Sequence, residues 1–144
     1  MITTIETLVA SHLAAFATSA NLAFTFGARA STSKEVLPKD RPMIFAQIED
    51  LPQEVPGKDL WIGHLQVWVS TPVDVKSITI AQHTRLEILA TAAFDENQKS
   101  VLAALFDADE SGIKCPSFAR TGWKPARQET SWTPHLAVTL AIRL

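Results

Sequence analysis

A chain of 144 residues with 47% hydrophobic and 19% charged residues has the size of one domain and lies far from the composition of disordered chains. A formal net charge of −2 speaks against a protein whose main task is gripping nucleic acid, because phosphate binding shows as a basic excess. The single cysteine, Cys115, excludes an intrachain disulfide, and no apolar run reaches the roughly 18 to 20 residues of a membrane span. The N-terminus lacks the basic start and apolar stretch of a secretion signal, so a cytosolic start and no membrane partner are expected.

Ile5, Leu8, Val9, His12, Leu13 and Phe16 recur at steps of three and four and predict an amphipathic helix over residues 4–18. Thr3 and Glu6 have the spacing of a capping box that would start it. Weak alternation predicts a short strand over 21–28, and polar and turn-rich residues over 31–34 and 38–42 predict loop. A second strand is expected over 43–48 and a third over 60–70. In the third, Trp61, Leu65, Val67 and Val69 share one face apart from Gly63, while Ile62, His64, Gln66 and Trp68 share the other.

Asp74 or Ser77 can cap a long helix ending near Ala93, with Ile78, Ala81, Leu86, Leu89 and Ala93 as its apolar set and Ile80 and Ile88 widening the stripe. Asp95 and Gln98 give a second start signal for a short helix carrying Val101, Leu102, Leu105 and Phe106, which Gly112 ends. A strand over 113–121 and a polar connection over 122–131 precede the clearest strand, 133–144, where Leu136, Val138, Leu140, Ile142 and Leu144 alternate with Ala137, Thr139, Ala141 and Arg143. Grouped strands imply one α+β domain over 1–144: a mainly antiparallel sheet of four to five strands, with an N-terminal helix and a long central helix packed on one face and a short extra helix.

Candidate chemistry is sparse. His12, His64, His83 and His135 show no metal-ligand spacing, and His12, on an apolar stripe, reads as a hydrogen-bonded core or interface histidine. Asp107, Asp109, Ser111 and Gly112 match the opening of a calcium loop, but its twelfth position is Phe118 instead of glutamate, so a solvated acidic turn is expected. Ser131, His135 and Asp74 make a triad only on paper. Cys115, next to Pro116, reads as a packing residue. No catalytic residue, cofactor or metal is therefore assigned, and the chain is not expected to be an enzyme.

Charge is unevenly spread. Residues 113–144 hold Lys114, Arg120, Lys124, Arg127 and Arg143 against Glu129, whereas residues 95–110 hold Asp95, Glu96, Asp107, Asp109 and Glu110 against Lys99. Trp61 and Trp68 are expected in the core, and Trp123 and Trp132 at an interface or clasping a hairpin. A basic region around Arg120, Trp123, Lys124, Arg127 and Trp132 is expected to meet the acidic Asp107, Asp109 and Glu110 of a neighbouring copy. The alternatives are a small nucleic-acid-binding module using the basic C-terminal third, and a small enzyme using His64 or His135.

The order of elements resembles that of the tail-terminator and tail-completion proteins of tailed bacteriophages. It has a short amphipathic helix first, a proline-rich approach to a strand, a strand leading directly into a long helix over 65–93, and a final alternating strand over 132–144. That resemblance implies a structural virion protein, assembled in the host cytoplasm, that forms a ring, commonly a hexamer. Such a ring caps the head-proximal end of the tail tube and joins it to the neck, and genome DNA passes through without specific binding. The acidic segment 95–112 departs from the pattern and looks like an insertion before the last hairpin.

Overall fold

The computed structural model describes residues 1–19, 25–28, 43–54, 59–72, 77–124, 131–132 and 135–144. Its elements run α1 (Ile2–Ser19), β1 (Thr25–Ala28), β2 (Met43–Asp50), β3 (Leu60–Pro72), α2 (Ser77–Ala93), a 3-10 turn (Glu96–Gln98), α3 (Lys99–Ala108), β4 (Lys114–Lys124), β5 (Ser131–Trp132) and β6 (His135–Arg143). The strands form one sheet in the order β1-β2-β3-β6-β4, with β5 beside β3. Pairing is antiparallel except between β1 and β2. The fold is thus α+β, as the patterning implies.

Register explains the single core. Ile44, Ala46 and Ile48 on β2 stand opposite Val69, Val67 and Leu65 on β3, and Leu65 and Val67 stand opposite Val138 and Leu136 on β6. These residues are buried together with Leu140 and Ile142 of β6 and with Ile5, Val9 and Leu13 of α1, Leu89, Ala90 and Ala93 of α2, and Leu102 and Phe106 of α3. All three helices therefore cover one face of the sheet. Gly63 interrupts the inward row of side chains, beneath Leu51 and opposite Leu140.

Several local expectations are corrected. The first helix starts at Ile2, which places Thr3 inside it, so Thr3 is not an N-cap. Glu6 is instead a tertiary residue, 1% exposed, whose Oε2 accepts the Ile48 backbone N–H at 2.7 Å. Among the described residues β1 pairs with β2 as far as Ala46, and Ile48, two residues on, has its N–H accepted by the Glu6 carboxylate. Ile88 does not widen the buried stripe of α2 but is 63% exposed, and Val101 on α3 is exposed as well. β4 runs on through residues read as connection, to Lys124, by way of a register shift at Gly122, whose φ of 152° suits glycine. Gly112, at φ 77°, ends the α3 segment as expected. Leu144, placed in the last strand's apolar row, is half exposed just beyond β6.

Candidate functional site

Two surfaces carry side chains that the core does not absorb. The first is the face of the sheet that is free of the described helices. Phe45, Trp68, His135 and Lys124 are direct cross-strand partners on β2, β3, β6 and β4, forming one row across four strands. Phe45 and Trp68 stack with ring centroids 6.0 Å apart at 6°, and Trp68 and His135 lie 4.5 Å apart at 39°. Trp68 Nε1 donates to Gln66 Oε1 at 3.2 Å, and Gln66 Nε2 donates to Glu49 Oε2 at 3.3 Å, so aromatic ring, amide and carboxylate form a chain along the face. Further along, His64 Nδ1 is hydrogen bonded to the Asp50 carboxylate. Trp68 is thus half-buried on the helix-free side and outside the core, against expectation: the period of two that buries Val67 and Val69 turns Trp68 the other way.

His135 is the least satisfied residue of this face. Its Nδ1 is sealed from solvent without a hydrogen-bond partner. Burial holds its pKa below the ordinary imidazole value, the positive charge of Lys124 adds to that, and Glu49 opposes it. His64 and His135 share the face, but His64 is opposite Thr139 while Trp68, four residues along β3, is opposite His135. That offset is about 13 Å at the usual rise per residue, so the two histidines do not converge on one reacting centre. Ser131 pairs through its backbone with Pro72, and Asp74, the third member of the paper triad, lies outside the described residues.

The second surface is a groove of about 510 Å³ where the C-terminal end of α2 meets β4. The last carbonyls of a helix lack intrahelical partners, and cations are favoured beside them. Arg120 Nη1 donates to the Thr91 carbonyl at 2.6 Å, and His12 Nε2 donates to the Ala93 carbonyl at 2.7 Å. Trp123 Nε1 donates to Thr91 Oγ1 at 3.0 Å. Two elements, α1 and β4, are thus tied to one helix end. His12 is 2% exposed, and its burial lowers its pKa, with the Ala93 bond opposing. It is therefore the hydrogen-bonded interior histidine that its position on the stripe implies.

The proposed interface residues distribute as follows. Arg120 and Trp123 turn toward their own helix and line the groove; Lys124 is exposed at the end of β4 and faces the aromatic side. Trp132 pairs through its backbone with Thr71, and Arg127 lies outside the described residues. Asp107 forms an ion pair with Lys114 of the same chain at 3.1 Å. Asp109 Oδ2 accepts the Ser111 N–H at 3.1 Å, and the hydrogen bonds from Ser111 lower its carboxyl pKa. Glu110 is exposed. Part of the acidic and basic segments is therefore matched within one chain. Cys115 is buried, and burial pushes its thiol up to about 12, which keeps it protonated and unreactive near neutral pH.

The roles of Phe45, Gln66 and Glu49 were not anticipated from the sequence. The signal that could have found Phe45 and Gln66 is the off-core alternation of β2 and β3, since each lies between residues that point to the helices. Among the described residues no three metal-ligating side chains converge, and no helix is long and apolar enough to cross a membrane. No protein-family model matches the chain, and a search of curated proteins finds no relative.

Proposed function

We propose that the chain is a structural assembly protein resembling the phage tail terminators. Its copies form a ring, a hexamer by that resemblance, that caps the head-proximal end of a tail tube and joins it to the neck within the virion. The observation that carries this reading is the face left uncovered by the described helices, where Ile62, Trp68 and His135 are only partly buried. Large side chains left partly exposed on a sheet face that none of the described helices covers are what a second protein surface would cover. The edge strand β4 favours faces over edges as contacts, since Pro116, lysines at both ends and two register shifts blunt it against strand-to-strand pairing. The reading assigns no catalytic role, metal or cofactor.

A second reading, stacking of single-stranded bases, is favoured by Trp68, His135 and Lys124 in one row. Glu49 and Asp50 on the same face and the burial of Phe45 count against it. Negative-stain imaging of the purified chain, alone and with tail tubes, tests the first reading. Closed rings, with one seated at a single end of each tube, are expected. Chains that neither form rings nor bind tube ends would overturn it, and salt-sensitive oligonucleotide binding would replace it with the second.

A further inference from the structure

The groove between α2 and β4 has an apolar floor and walls of opposite charge. Phe16, Ala92 and Trp123 supply apolar lining, and Ile88 is a lining residue that stays 63% exposed. Asp95 follows α2 on one wall, and Arg120 stands on β4 at the other. Asp95 occupies an N-cap position yet makes no side-chain cap bond, which leaves its carboxylate available. Arg120 gives one of its five N–H donors to Thr91. An exposed isoleucine alone is ordinary, but one beside a tryptophan and an arginine in a concave, half-apolar setting has the composition of a contact centre.

We propose that this groove is a two-fold contact with a second copy of the chain. A two-fold axis lying along the groove lays the β4 wall of each copy on the α2 wall of the other. Arg120 of each copy then meets Asp95 of the other, and Ile88 of each packs on the β4 wall of the other, which carries Trp123. Opposite charge on opposite walls makes the surface self-complementary under that operation. The inference rests on the reading of the chain as an assembly protein and adds a symmetric contact to it.

Sedimentation velocity of the full chain across a concentration series, with native mass spectrometry for stoichiometry, tests the pairing. The parent is expected in even-numbered species. Ile88→Asp should weaken association at least about thirtyfold, since it removes a central apolar contact twice. Asp95→Lys should weaken it about tenfold at low salt and much less at high salt. Both positions are exposed, and unchanged thermal melting would show that the fold is intact. A monomeric parent, odd-numbered species alone, or an Ile88→Asp chain that associates like the parent would overturn the pairing. Rings that survive Ile88→Asp unchanged would sink the pairing and leave the ring standing, whereas pairs without rings would do the reverse.

Discussion

The two faces of one sheet, built by the same strands, have opposite chemistry. On the helix-covered face Leu136, Val138, Leu140 and Ile142 of β6 are buried, while Ala137, Thr139 and Ala141, set between them, are only half-buried on the other. The difference is not one of strand propensity. It is one of cover: three helices exclude water from one side, and the buried Glu6 and His12 there each have a specific partner, the Ile48 N–H and the Ala93 carbonyl. On the other side Gln66 and His64, less deeply buried, bond to Glu49 and Asp50 beside the aromatic rings.

The comparison breaks most severely if a charge moves to the covered face. Leu140→Asp should abolish the cooperative transition, because a buried unpaired carboxylate costs several kcal/mol against a total stability of about 5 to 15. Thr139→Asp, one residue away, should still melt cooperatively by circular dichroism. A folded Leu140→Asp protein alongside an unfolded Thr139→Asp protein would invert the assignment of faces.

A smaller effect follows from removing the buried acceptor on the covered side. Glu6→Ala leaves the Ile48 N–H without its side-chain partner and should cost about 1 to 3 kcal/mol in urea denaturation. Gln66→Ala, which removes an exposed amide link on the open face, should cost under about 1 kcal/mol.

Proton binding sharpens the same contrast. Burial lowers the folded-state pKa of His12, so the unfolded chain binds the proton more readily. The stabilisation is fully present above the unfolded value of about 6.5 and is lost as pH falls below it toward the folded value. His135 acts with the same sign from a less buried site. Urea midpoints should therefore fall between pH 7.5 and pH 5, and His12→Gln should flatten that slope more than His135→Gln. Equal slopes in the two variants would show that the covered face is no drier than the open one. The smallest effect is expected at the surface, where Asp107→Ala breaks an exposed pair with Lys114 and should change stability by about 0 to 1 kcal/mol.

Arg120 and Trp123 show how far the candidate site could be read in advance. Their residue types and neighbouring charge marked them for contact, and both do make specific contacts, but with Thr91 of their own chain. Nothing local in the stretch around Arg120 encodes that partner, which lies 29 residues earlier. Trp68 errs in the other direction: an apolar ring suggested the core, while the alternation of β3 already placed it opposite Val67 and Val69.

Period and punctuation in the sequence determined the element types, the single core and the inward rows of β3 and β6. These depend on residues two, three or four apart, whose geometry the backbone sets locally. The sequence also marked the stop at Gly112, because a positive φ is a local demand. Only the tertiary structure decided that Glu6 is a strand's acceptor, that Arg120 and His12 close the end of α2, and that Phe45, Trp68, His135 and Lys124 form a row. Each of these joins groups distant along the chain, and strand register and helix docking, settled by burial of the whole core, choose which distant groups meet.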